Sequence, residues 1–361
     1  MKVALLGDVA LIGRFDLSMN PDANKLVQEI QMITQGCDFV IANLESPLTS
    51  ITKTKKCKGV YLRSEPTNVK ILQELGVTHV TLANNHVYDY GIKGARETIY
   101  HLAAAGIEYV GISGKTSLLE KNGERALLGG FCCYSANGLR YGDGRKADTI
   151  DTLSPELLDS FFCRAADKDA VPIVSAHFGV EGLHYPSVEH MRLFRHYAEM
   201  KHYVLHGNHP HVIQGYEMRR QSPLFYSMSD LCFDDCLVTS IGGPAIRTEE
   251  NNKGMISIVE IINQVPVIRE VFGLRMSADG VLCRSKTVKE ELDFYSNALS
   301  RDNHFICEVR DAEQRERQHA ITKKTIRFYL NRLNYKYIGA YLNGKKHAKE
   351  YHRIYGNWED G

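Results

Sequence analysis

HVTLANNHVYDYGIKG, residues 79–94, carries the reading of the fold. A short apolar, β-branched run, His79–Ala83, stops at Asn84-Asn85-His86, and from Gly94 a helical pattern runs on to Ala104. A run of that length bounded by polar residues reads as a strand, and the change of period after it reads as a strand handing over to a helix. The strand exit therefore delivers an amide and an imidazole side by side, with Asp89 three residues beyond His86.

The same device recurs on both sides of this stretch. Asp8 follows VALLG, Glu45 follows FVIAN, His177 follows PIVSA, and His209 and His211 follow YVLHGN. In an α/β sheet, ligands bind beyond the carboxyl ends of the strands. If the five strands are parallel neighbours, their carboxylates, amide and imidazoles converge on one site.

The rest of the first 230 residues keeps this alternation. Strands are expected at Lys2–Leu6, Asp38–Ala42, Glu108–Val110, Ala126–Cys133, Pro172–Ala176 and Tyr203–Leu205. Helices are expected from about Asp22, at Asn68–Leu75 and Ser187–Met200, and at Pro155–Ala166 with Ser154 as N-cap and Pro155 at N1. Such spacing argues for a layered α/β fold. Leu224–Ser227, Gly254–Glu260 and Val265–Phe272 add strands with no helices between them, so part of the sheet system is expected to be antiparallel. Residues 49–64 and 134–150 read as surface loops.

Near residue 286 the composition changes. Helices are expected at Val288–Ala298, from about Asp311 to Leu333, and at Ile338–Tyr355. The chain thus divides into residues 1–285 and a basic helical extension, 286–361. Eleven Lys or Arg fall between positions 314 and 355, opposed by Glu316 and Glu350. A solvated basic face on a packed appendage is the plain reading. A site for an anionic polymer, headgroup or protein partner is the alternative. No helix-turn-helix or finger signature points to specific nucleic-acid recognition.

A formal net charge of +1 over 361 residues gives no whole-molecule field toward nucleic acid or an anionic membrane. No apolar stretch reaches the ~18 residues of a membrane-spanning helix, so no integral membrane segment is expected. Nine cysteines, an odd number spread over a long chain, read as reduced thiols in a cytoplasmic protein.

Carboxylates, imidazoles and an amide without a thiol suit one or two divalent ions such as Mn, Zn or Fe. A pair of ions sharing a carboxylate clamps a phosphoryl group and lowers the pKa of a water between them. His209 and His211, separated by the stiffening Pro210, can point into one cavity from a strand-exit loop. Asp89 can hold His86 in one tautomer. Arg14, Glu181 and His184 are candidates to face an anionic substrate.

GDVALIGR (7–14), DFVIANLESPLT (38–49), VTLANNHVYDYGIKG (80–94), PIVSAHFGVE (172–181), VLHGNHPHVIQGYE (204–217) and PLFYSMSDLCFD (223–234) together resemble the bacterial capsule synthesis protein CapA family, of poly-γ-glutamate biosynthesis. That family lies within the calcineurin-like metallophosphoesterase superfamily. The resemblance covers about residues 1–240. It implies a four-layer α/β/β/α sandwich around a metal centre, followed here by a C-terminal helical extension. It implies Asp8, Glu45, Asn85, His177, His209 and His211 as metal ligands, with Glu45 as the bridge, and His86 as a catalytic acid supported by Asp89. Three positions depart from the superfamily pattern. Ala10 stands where an imidazole ligand is usual, Glu45 where the bridge is usually Asp, and Asn208 where many members carry His.

Three functions follow as expectations. The first is a phosphoesterase-like hydrolase using a metal-bound hydroxide. The second is a component of anionic exopolymer assembly or export, acting on amide bonds. The third is a metal-containing binding module without turnover.

Overall fold

The computed structural model describes residues 1–54, 60–133, 149–238, 243–245, 247–321, 349 and 351–356. Two sheets face each other. In the first, β1 (Lys2–Val9), β2 (Phe39–Leu44), β3 (His79–Thr81) and β4 (Glu108–Val110) run parallel in that order. In the second, β5 (Ser117–Lys121) pairs antiparallel with β6 (Glu124–Cys132), which continues in parallel through β7 (Val171–His177), β8 (Val204–Asn208) and β10 (Ser222–Phe225), with β9 (Tyr216–Arg219) at the edge.

The period-2 pattern of β1 shows how the layers form. Ala4 and Leu6 pack outward with Ile30, Ile71 and Leu72, which lie on α1 (Gln28–Thr34) and α2 (Val69–Glu74), and with Leu102 of α3 (Gly91–Ala104). Val3 and Leu5 pack inward against Leu128, Ile173, Val204 and Phe225 of the second sheet. On that sheet's outer face, Phe161 of α4 (Pro155–Asp167) and Phe194 of α5 (Val188–Met200) cover Leu127, Val174 and Leu205. Successive residues point to opposite faces, so one strand feeds two cores. The result is an α/β/β/α sandwich, as expected.

β11 (Asp230–Cys232), β12 (Cys236–Val238) and β13 (Gly243–Ala245) follow the second sheet, and β11 returns to pair with β1. The antiparallel part is β14 (Lys253–Ile262), β15 (Val265–Met276) and β16 (Leu282–Arg284), which extend the first sheet from β1. Strand β5 was not expected from the sequence. It is joined to β6 by Asn122 and Gly123, whose φ angles of 52° and 81° match the two-residue hairpin turn that Asn-Gly favours.

Ser154 caps α4 as read, its hydroxyl accepting from the Leu157 N–H. In the same way Ser285 caps α6 (Lys286–Ala298), so this helix begins two residues before the expected start. Its Val288 and Leu292 join the core between the sheets. α7 (Asn303–Ile321) begins earlier than the expected Asp311, and Ile306 and Tyr355 join the core under α5. Of the eleven basic C-terminal positions, Lys323, Lys324, Arg327, Arg332, Lys336, Lys345 and Lys346 lie outside the described residues, as do 55–59 and 134–148 of the two expected loops. Among the described residues no helix is long and apolar enough to cross a membrane, and none of the eight described cysteines forms a disulfide.

Candidate metal centre

Strand ends from both sheets meet at one point. Asp8 is the penultimate residue of β1, Glu45 follows β2, Asn84 to His86 follow β3, His177 ends β7, and His209 and His211 follow β8. Gly7 sets the depth of Asp8: a Cβ at position 7 would lie 2.1 Å from the Ser229 carbonyl oxygen, so only glycine lets β1 pass this close to β11. The Asp8 N–H donates to that same carbonyl at 2.8 Å.

Glu45 is at the centre. It is fully buried, and among the described residues neither carboxylate oxygen accepts a hydrogen bond. Three imidazole nitrogens surround its Oε1 instead: Nε2 of His211 at 3.7 Å, of His177 at 3.8 Å and of His86 at 3.9 Å. A buried carboxylate without hydrogen bonds is costly. Surrounded by nitrogens at that distance, it forms a donor set suited to a divalent cation. Asp8, Glu45 and His211 bring one ligand atom each within 4.8 Å of one another, and so do Glu181, His209 and His211.

An amide network fixes this geometry. The Asn43 side chain donates to Asp8 Oδ1 at 2.6 Å and lies 3.2 Å from His177 Nδ1. The Asn84 amide donates to Asn43 Oδ1, while its own oxygen receives the N–H groups of His86 and Val87. Asn85 Oδ1 lies 3.0 Å from His177 Nε2. His209 and His211 have φ angles of 100° and 56°, a conformation costly for residues with a Cβ. The turn aims both rings inward and lets the His209 N–H donate to Asp8 Oδ2 at 3.0 Å. His86 Nδ1 is 2.6 Å from Asp89 Oδ2, which also receives the Leu62 N–H.

Electrostatics follow from the burial. Desolvation, reinforced by the nearby Asp230 charge, raises the Asp8 carboxyl to about 6, with His211, Asn43 and the His209 N–H partly offsetting it. Burial likewise pushes Glu45 well above the usual carboxylate range. Desolvation disfavours the His211 imidazolium, yet Asp230, Glu45 and Asp8 outweigh it and raise this group well above the ordinary histidine value. A multivalent cation would replace those protons.

The remaining sequence candidates lie around a cavity of about 440 Å³ that opens onto His86 and His211. Glu181 lines it, about half exposed; burial opposes its ionisation, but His209, His211 and Arg317 outweigh that and hold its carboxyl below the usual range. His184 lines it too, stacked on Tyr295 with centroids 4.8 Å apart, its N–H donating to Glu313. Arg14 turns to Asp234, with Nε 3.0 Å from the carboxylate, and is not among the described residues that line the cavity.

Asp230, Arg247, Asn43 and Asn84 were not singled out in the sequence. Asp230 Oδ1 is 2.8 Å from His211 Nδ1, and its Oδ2 receives Arg247 Nη1 at 2.7 Å. A buried Asp inside the apolar run SMSDLCF was the available signal for the first. Arg247 sits in an irregular loop where no local pattern marks it.

Two stacked sheets with helices outside, and a nest of carboxylate, amide and imidazole groups at their strand ends, define an α/β/β/α sandwich with a candidate metal centre between its sheets. The chain belongs to the bacterial capsule synthesis protein PGA_cap family, whose model matches residues 2–235. It is 24% identical over 327 residues to the PGA biosynthesis protein CapA of Bacillus subtilis, covering 87% of this chain and 81% of that one. It is 26% identical over 256 residues to the capsule biosynthesis protein CapA of Bacillus anthracis, covering 65% of this chain and 60% of the relative's length. Among solved structures, the calcineurin-like phosphoesterase YfkN of Bacillus subtilis superposes with a TM-score of 0.42 at 15% identity, covering 86% of this chain and 98% of that one. The NAD nucleotidase NadN of Haemophilus influenzae superposes with a TM-score of 0.43 at 11% identity, covering 90% and 69%.

Proposed function

We propose that this chain is a metal-dependent phosphoester hydrolase, with Asp8, Glu45, Asn85, His177, His209 and His211 holding one or two divalent ions of the Mn, Zn or Fe kind. The observation that carries the reading is Glu45, whose buried carboxylate accepts no hydrogen bond among the described residues and faces three imidazoles. When bound, such ions supply Lewis acidity toward a phosphoryl oxygen and an activated water. The protein's own groups do the rest. His86, with Nδ1 held by Asp89, keeps Nε2 for donating a proton to the leaving oxygen. Asn43 and Asn84 hold Asp8, His177 and the turn at His86 in register. Glu181 and His184 face the substrate from the cavity wall, and in this reading Arg14 acts only at a distance, through Asp234.

Residues 1–285 then form the catalytic unit, and 286–361 an extension whose basic side chains take an anionic partner. Arg317 of α7 already reaches the cavity. The thiols of the described cysteines support a cytoplasmic setting.

The test is metal-dependent turnover of an aryl phosphate. The reading requires activity that is lost in both Asp8→Ala and His177→Ala. An inert wild-type protein with full metal content contradicts it.

A second reading is favoured by family membership and by the names of the two Bacillus relatives: a role in assembly of an anionic exopolymer, on amide bonds. Cleavage or binding of γ-linked glutamyl peptides, with phosphate esters inert, would select it.

A further inference from the structure

Arg247 lines the cavity and is nine-tenths buried, with 9% of its side chain exposed. Two of its N–H groups and its face are committed. Nη1 donates to Asp230 at 2.7 Å, Nε donates to Asn252 Oδ1 at 3.1 Å, and the guanidinium rests against the Phe233 ring, 5.4 Å from its centroid. The Arg247 N–H is tied to Asp235 as well, so the residue is fixed at both ends. Nη2 remains. It is buried, and it donates to no acceptor among the described residues. A planar guanidinium held rigidly with one N–H edge unspent is built to receive an oxygen acceptor.

The acids on the same cavity wall do not compete for that edge. Asp234 is matched by Arg14 at 3.0 Å and Glu250 by Lys253 at 2.8 Å. Glu181 is matched by Arg317 at 4.0 Å and by the imidazoles. Arg247 also stands one residue outside the candidate metal centre, because Asp230 lies between it and His211. A group held at that edge would therefore be a different part of a bound molecule from the part held at Glu45.

We propose that Arg247 is a specificity-determining residue, whose Nη2 edge binds a second anionic group, carboxylate or phosphate, carried by the same phosphoester substrate. This rests on the phosphoesterase reading above. It assigns a recognition role to a residue outside the 2–235 stretch matched by the family model.

The test compares binding of three phosphonates to the Mn-loaded full chain by calorimetry, with metal content measured before and after. Propylphosphonate has one anionic end, while 3-phosphonopropionate adds a carboxylate and propane-1,3-diphosphonate a second phosphonate. The wild type should bind at least one of the latter two about 10-fold or more tightly than propylphosphonate, the worth of a charge-assisted hydrogen bond. Whichever is preferred names the second group. Arg247→Met should bring the preference, taken as the ratio of affinities within the metal-loaded variant, to within about 3-fold, and Arg247→Lys should restore part of it. No preference in the wild type, or the same preference in Arg247→Met, overturns the assignment. Loss of metal in Arg247→Met also overturns it, because Arg247 would then act only through Asp230 on His211. If the metal is bound and propylphosphonate is not, the phosphoesterase reading fails and takes this one with it.

Discussion

His86 lies with Nδ1 2.6 Å from Asp89 Oδ2 and Nε2 3.9 Å from Glu45 Oε1. One edge of the ring is fixed by a carboxylate and the other faces the buried centre, so the tautomer and the direction of any proton it gives are set together. The Leu62 N–H donates to the same Asp89 oxygen and keeps it in place.

Asp89→Asn should lower kcat on an aryl phosphate about 10- to 100-fold while leaving metal content unchanged. His86→Gln should cost about 100- to 10,000-fold in kcat. Steady-state kinetics alongside elemental analysis separates the two effects. A parallel loss of metal in Asp89→Asn would show that His86 is a ligand rather than an acid.

Metal uptake should release protons and weaken as pH falls. Without metal, the Asp8 carboxyl titrates at about 6 and Glu45 is held well above the usual carboxylate range, both chiefly by burial. Below about 6 Asp8 is protonated, and a cation must displace that proton; above it Asp8 is already an anion. Calorimetric titration in buffers of different ionisation enthalpy should therefore show proton release that grows between about pH 7 and pH 5. Buffer-independent heats across that range would be incompatible with this account.

Two histidines far from solvent should make the fold acid-sensitive. His79 and His206 are both lowered to about 4, chiefly by burial. The unfolded chain binds their protons below about pH 6.5, the folded chain only below about 4. Their contribution is thus complete above 6.5 and lost as pH falls toward 4, on the order of 3 kcal/mol for each. His206 sits between Ser175 and the Leu6 carbonyl, joining the two sheets. Urea midpoints measured from pH 7.5 to 4.5 should fall, and a flat profile would refute the assignment.

Gly7→Ala should destabilise the chain by about 1–3 kcal/mol, because its Cβ meets the Ser229 carbonyl 2.1 Å away. The displacement should also reach Asp8, the next residue. Weaker metal binding together with a lower melting temperature is the expected pair of results, and an unchanged affinity would separate Gly7 from the site.

Much of this was legible in the sequence because the strands are short, apolar and end abruptly. Lys2–Val9, Phe39–Leu44 and Val171–His177 each finish within one residue of a side chain with metal-ligating chemistry, and that pattern depends only on local order. The layered α/β character was legible from the strand–helix spacing and the four layers from the family resemblance, while the alternation of β1 between two cores came only with the structure. What escaped was long-range or lay in loops. Asp230 approaches His211 only because β11 returns beside β1, and Arg247 reaches Asp230 from an irregular segment. Neither approach leaves a mark in local periodicity. Strand β5 had a local signal in Asn122-Gly123, but its own run, SLLEK, is too polar at one end to read as a strand.

The central claim is that Glu45 stands at a divalent metal centre. Anomalous difference maps from crystals grown with Mn²⁺ test it most directly. A peak within about 2.5 Å of a Glu45 carboxylate oxygen, sharing Asp8 or His211 as a neighbour and absent in Glu45→Gln, is the predicted result. A map in which Mn²⁺ is found elsewhere, or nowhere near Glu45 at saturating metal, would contradict it.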